Sequence, residues 1–217
     1  MRWLVSLLVG MLFAQSGVHP ISGRRIAPVM GWQGAAWLER HERVDEEQPD
    51  TAIKQLSIAK GAIVADIGAG TGYMSIRLAA AVGPSGRVFA NDLQPEMIDM
   101  LRKRLAAQRI ANVIPVQGAV DDPKLPEPVD LALMVDVYHE LSHPQTMLQR
   151  LRRSLKPGGR LVLLEYRKED PTIPIRPEHK MSVAEVKMEI EAEGFALSNV
   201  DESLPRQHIL TFTLAVH

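Results

Sequence analysis

The sequence predicts an α/β domain in three layers, with a mostly parallel sheet between two layers of helices. Short apolar runs alternate with helical stretches from Gly61 onward, and a glycine-rich turn joins the first run to the first of those helices. Hydrophobic residues make up 46% of the chain but aromatic residues only 5%, which calls for the aliphatic core of a sheet buried on both faces. The length of 217 residues suits one such domain. Composition excludes other classes. With 25 Lys+Arg against 26 Asp+Glu, bulk charge gives nucleic acid no hold. The hydrophobic content argues against disorder, and the lack of cysteine removes disulfides, thiolate metal sites and cysteine nucleophiles.

Residues 1–16 read as a signal peptide. Arg2 precedes the apolar run Leu4 to Ala14, which is too short to cross a hydrocarbon layer of roughly 30 Å comfortably. Ala14 and Ser16 then place small residues before a cut at Gly17. This segment predicts export to the periplasm or medium, or membrane anchoring at the N-terminus alone; a cytoplasmic chain with a buried first helix is the alternative.

Residues 17–52 read as a connector and a helical preface. Trp32 to Val44 has a helical pattern, and Glu39, Arg40, Glu42, Arg43, Asp45, Glu46 and Glu47 alternate in sign as a solvated helix face does. The stretch from Gly31 to Val44 is expected to fold over the site as a lid. Pro49-Asp50 opens a second short helix, with Ile53, Leu56 and Ile58 as its apolar positions.

Residues 53–217 carry the main domain. Five apolar runs read as strands: Ala62 to Asp66, Arg87 to Asp92, Asn112 to Val116, Asp130 to Val135 and Arg160 to Glu165. The helices between them are Tyr73 to Val82, Pro95 to Gln108 and Pro144 to Leu155. Pro115 cannot donate to a ladder, so the third strand belongs at a sheet edge. Ser182 to Glu193 is a helix capped by Ser182 and stopped by Gly194. The last two strand patterns, Phe195 to Val200 and His208 to Val216, have no room for a helix between them. They must form a hairpin, which makes the final strand antiparallel to its neighbour.

The chemistry gathers at the ends of the first two strands. Asp66-Ile67-Gly68-Ala69-Gly70-Thr71-Gly72 has Tyr73 where a dinucleotide fingerprint needs its third glycine, and no GK[ST] follows. Asp66 beside the turn would repel pyrophosphate but suits an ammonium or sulfonium group. Asp92, at the end of the second strand, can accept both hydroxyls of a ribose. Together these features describe a ligand that is a positively charged nucleoside without phosphate.

Val64 to Ser75, Val88 to Met97, Val129 to Leu141 and the LKPGG turn at Leu155 to Gly159 resemble class I S-adenosylmethionine-dependent methyltransferases, a group that includes quinone-biosynthesis and arsenite methyltransferases. The resemblance runs from about Ile53 to Val216. It implies a Rossmann-like seven-stranded sheet in the order 3-2-1-4-5-7-6 and S-adenosylmethionine as cofactor. By the same resemblance Gly68, Gly70 and Gly72 cradle the methionine part, Asp66 helps hold its amino group and Asp92 holds the ribose. Ala69, Leu93 and Asp136 complete the implied cofactor set. Family members commonly carry an acid after a glycine beyond strand three; here Gly118 is followed by Ala119-Val120 and then Asp121-Asp122. Asp121 ranks first for the adenine amino group, and an acidic loop closing at Pro123 is the other reading.

Asp136-Val137-Tyr138-His139-Glu140 follows strand four, where α/β sheets bind ligands, and in the family this stretch lies beside the departing methyl group. Methyl transfer is an in-line displacement from sulfonium, helped mainly by alignment. Where the acceptor must lose a proton, His139 is the candidate base and Tyr138 or Glu140 could orient the acceptor. A hydrogen-bonded wall is the plainer reading for His139.

Arg24-Arg25 could bind an anionic acceptor and His179-Lys180-Met181 could line the pocket, but both read first as solvated segments. Glu165-Tyr166 could equally face the acceptor or cover the sheet. Seven histidines occur without HExxH or comparable spacing, so no metal site is expected. The expected enzyme methylates a small molecule rather than a nucleic acid. The alternatives are a catalytically silent nucleoside-binding module and a nicotinamide-dependent oxidoreductase, the latter disfavoured by the loop spacing and Asp66.

Overall fold

The computed structural model describes residues 17–215, and the leader pattern of residues 1–16 lies outside them. The sheet has seven strands: β1 (Ile63–Ile67), β2 (Arg87–Asp92), β3 (Val113–Gln117), β4 (Val129–Val135), β5 (Leu155–Tyr166), β6 (Phe195–Asp201) and β7 (Gln207–Leu214). Their order is β3-β2-β1-β4-β5-β7-β6. The first five run parallel, while β7 is antiparallel to both β5 and β6, as the missing crossover helix required. β3 is an edge strand, so Pro115 removes no ladder bond from the sheet's interior.

Alternation along the strands separates two cores. Val64, Leu131, Leu133, Val162 and Leu164 pack on one face with Leu78, Leu101 and Leu105. Ala65, Ala132, Met134, Leu161 and Leu163 pack on the other with Leu148, Leu151, Val186 and Ile190. Successive strand side chains point to opposite faces, so a continuous apolar run is what a sheet buried on both sides needs.

The helices are α1 (Ala35–Leu38), α2 (Arg43–Glu47), α3 (Pro49–Gln55), α4 (Tyr73–Val82), α5 (Pro95–Gln108), α6 (Pro144–Ser154) and α7 (Val183–Glu191). Proline occupies the first position of α3, α5 and α6, where its missing N–H is not needed. Ser182 and Glu185 form a reciprocal capping box on α7.

The preface differs from its sequence pattern. Trp32 to Val44 is not one helix but a 3-10 turn (Trp32–Gly34), then α1, then a break before α2. Its charges are solvated only in part: Glu39, Glu42 and Asp45 are exposed, but others are not. Arg43 and Glu47 are buried and paired at 2.5 Å, and Arg40 reaches both Glu46 (2.9 Å) and Glu47 (2.7 Å). The Arg43–Glu47 pair lies within α2, while Arg40 reaches its two partners across the break.

Candidate active site

The carboxyl ends of β1, β2 and β4 meet at the glycine loop. Gly68 and Gly70 hold φ of +72° and +54°, a region costly to residues with a Cβ. A Cβ on Gly68 would lie 2.5 Å from Val137 Cγ2, and one on Gly70 would lie 2.7 Å from Leu38 Cδ1. The loop is a backbone-lined cradle that no larger residue could form. The Gly70 N–H donates to Asp92 Oδ2 at 2.9 Å and the Gln94 N–H to Asp92 Oδ1 at 2.9 Å. Asp92 therefore fixes the loop while keeping lone pairs for other donors.

Asp66 is buried at the end of β1 and accepts from Ser75 Oγ at 2.5 Å. Burial pushes its carboxyl up from 3.8 to about 6, and burial likewise raises Asp92. Among the described residues neither acid forms an ion pair with Lys or Arg within 4.0 Å. Two buried acids beside a backbone cradle fit a ligand that brings both a cation and hydroxyl donors.

The other implied cofactor residues divide. Ala69 donates its N–H to the carbonyl of Asn91 in β2, and Leu93 is exposed beside Asp92. Asp136, in the left-handed region at φ +53°, accepts from Gln207 Nε2 at 2.8 Å, while its Oδ1 is buried without a partner among the described residues. Burial first, then the nearby charges of Glu47 and Glu165, holds its carboxyl well above the ordinary range. Beyond β3, Asp122 accepts from the Lys124 N–H at 2.8 Å and lies 3.7 Å from Arg150, so it closes the loop; Asp121 is half-buried beside it.

Residues 30–47 lie across these strand ends. Glu39 accepts from Thr71 Oγ1 at 2.5 Å and pairs with Arg104. Gln94 bonds the Trp32 N–H at 2.8 Å and the Met30 carbonyl at 3.0 Å. Arg43 stacks 4.2 Å over the Tyr73 ring, and the Tyr166 hydroxyl donates to Glu47 at 2.8 Å. The preface thus spans from the end of β2 to the end of β5, and Tyr166 holds it down.

The stretch after β4 contains a buried polar chain. His139 is 2% exposed, with Nδ1 2.6 Å from Glu165 Oε2 and Nε2 3.1 Å from His179 Nδ1. Glu165, fully buried, also accepts the Tyr138 N–H at 2.9 Å. Burial works against a charged His139, but the Glu165 carboxylate outweighs it and raises the imidazole. Burial lifts Glu140 to about 7 and lowers His179.

Several expectations are corrected here. Tyr138 does not face an acceptor: it is fully buried, with its hydroxyl 3.4 Å from His19 Nε2 and Arg24 over its ring. Arg24 is not solvated, since it pairs with buried Glu189 at 2.8 Å and donates to the His139 carbonyl at 3.0 Å. Nor is 179–181 a solvated loop, because Lys180 and Met181 are buried and His179 meets His139. Sequence reasoning missed Gln207 and the meeting of His179 with His139, and placed Glu47 on a solvated face, because their partners are distant in sequence.

Fold and site together are similar to those of class I S-adenosylmethionine-dependent methyltransferases. Residues 64–159 match the family described as Methyltransferase domain. The ubiquinone/menaquinone biosynthesis C-methyltransferase UbiE of Burkholderia mallei (strain SAVP1) is 34% identical over 119 residues, covering 54% of this chain and 48% of that one. The chain therefore spans about half the length of the curated relatives it matches. A solved S-adenosylmethionine-dependent methyltransferase from Aquifex aeolicus is 26% identical with a TM-score of 0.80, covering 86% of this chain and all of its own. The glycopeptide N-methyltransferase MtfA, solved with sinefungin, shares the fold at 14% identity and TM-score 0.64, over 78% of this chain and 86% of its own.

Proposed function

We propose that this protein transfers a methyl group from S-adenosylmethionine to a small-molecule acceptor. The observation that carries the reading is the pair of buried acids, Asp66 and Asp92, flanking the Gly68 to Gly72 cradle with no Lys or Arg among the described residues within ion-pair reach. S-adenosylmethionine, when bound, supplies a methyl group already activated on sulfonium. Asp66 would hold the ammonium group and Asp92 the ribose hydroxyls, with Ala69 and Leu93 as backbone and apolar walls and Asp121 nearest the adenine side. Asp136 would line the methionine end of the site.

The protein's further work is alignment and exclusion of water. Residues 30–47 form the lid over the cradle, and desolvation beneath it strengthens the hold of Asp66 on a cation. His139, held by Glu165, would take a proton from an acceptor that must lose one, with Glu140 beside it to orient that acceptor. The name of the Burkholderia relative makes a quinone-type ring carbon the first acceptor to assay. We further propose that residues 1–16 export or anchor the chain, which the mass of the N-terminus in fractionated cells tests.

The assay is transfer of a labelled methyl group from S-adenosylmethionine into a small-molecule extract. Transfer that disappears in Gly70→Val supports the reading. Tight cofactor binding with no transfer to any fraction would favour a silent binding module, and heat on titration with NADH but not with S-adenosylmethionine would favour an oxidoreductase.

A further inference from the structure

We propose that His139, Glu140 and His179 form a binding site for a divalent transition-metal ion. His139 and Glu140 sit on the 3-10 turn that follows β4, and His179 ends the 3-10 turn (Pro177–His179) that precedes α7. Their ligand atoms converge: His139 Nε2 is 3.1 Å from His179 Nδ1 and 3.8 Å from Glu140 Oε1, which is 3.6 Å from His179 Nδ1. A point equidistant from the three lies about 2.0 Å from each, the length of a zinc bond to imidazole nitrogen or carboxylate oxygen.

The surroundings are those of a metal site. Ligating histidines characteristically donate their other ring N–H to a carboxylate, which fixes the tautomer and leaves the lone pair free for the ion. Glu165 meets His139 Nδ1 at 2.6 Å, and its second oxygen is fixed by the Tyr138 N–H at 2.9 Å. The side chains of Glu140 and His179 are 15% and 24% exposed, which leaves a route in, whereas His139 is buried.

Two imidazoles and one carboxylate favour zinc, iron, manganese or nickel over magnesium and calcium, which prefer all-oxygen shells. Three protein ligands leave at least one position for an outside ligand, so the site would take an acceptor oxygen or nitrogen lone pair as well as the ion; with the ion bound His139 Nε2 is a ligand, and its role as a base belongs to the metal-free state. The competing arrangement is a metal-free proton chain, Glu165 to His139 to His179.

The test uses the full chain, stripped with chelator, incubated with Zn²⁺ and desalted, with bound metal measured by mass spectrometry. About one equivalent is expected, and Co²⁺ in its place should give visible absorption bands of a low-coordinate site. Glu140→Gln and His179→Ala should each weaken Zn²⁺ at least tenfold, while His143→Ala leaves it unchanged and S-adenosylmethionine affinity reports that each variant is folded. Less than a tenth of an equivalent in the wild type, or full binding in Glu140→Gln, overturns the site and leaves the proton chain. Cofactor binding is measured separately, so loss of the metal site would not count against the methyltransferase reading.

Discussion

At Asp66 burial holds the carboxyl near about 6 instead of 3.8, and that shift has two consequences of opposite sense. The folded chain without ligand prefers the protonated acid, so its contribution to stability is present below the ordinary 3.8 and is lost as pH rises towards 6. A cationic ligand prefers the ionised acid, so S-adenosylmethionine should bind roughly tenfold more tightly at pH 7 than at pH 5, with proton release in acid. Calorimetry across that range checks it, and Asp66→Asn should flatten the profile. Asp92→Ala removes a carboxylate that also fixes the Gly70 N–H, and should weaken cofactor roughly 10- to 100-fold. Residues on the glycine motif were legible because one contiguous stretch folds into one turn. Asp136 was legible as a position, but its partners, Gln207 and the charge of Glu47, come from opposite ends of the chain.

Among the elements, the preface was legible as helical material before the first strand and was expected to be a lid, but the burial of Arg43 and Glu47 was not legible. Alternating charge carries no mark of which partner lies across a break. Arg43 and Glu47 are i,i+4 neighbours and fit a solvated helix as well as a buried one, until Tyr73 and Tyr166 close on them. A chain starting at Ala52 should lose acceptor affinity at least roughly tenfold, because alignment under a cover is lost; unchanged affinity would remove the lid. Glu39→Ala, which cuts the ties to Thr71 and Arg104, should speed cofactor release in stopped-flow with little change in melting temperature, since exposed pairs are worth about 1 kcal/mol or less. The α7 cap was legible from Ser182, and Ser182→Ala should cost about 1 kcal/mol in urea unfolding.

Across the molecule, the full strand order was implied by the family resemblance, and physical rules that act on short stretches agreed with parts of it. Pro115 set the edge, alternation set the parallel core, and the short link from β6 to β7 forced the reversal at the end of the sheet. The two cores give the fold its rigidity, and Leu133→Ala, at a fully buried position in the central β4, should cost 2–5 kcal/mol by the usual range for such changes. What stayed hidden were meetings between segments far apart in sequence, above all His139 with His179 and Arg24 with Glu189. The most direct measurement is a calorimetric titration of the whole chain with S-adenosylmethionine, with NADH titrated alongside. One cofactor bound per chain, lost in Gly70→Val and absent with NADH, is the result expected from the cradle and its two acids. No heat with S-adenosylmethionine, or binding that survives Gly70→Val unchanged, would contradict the site.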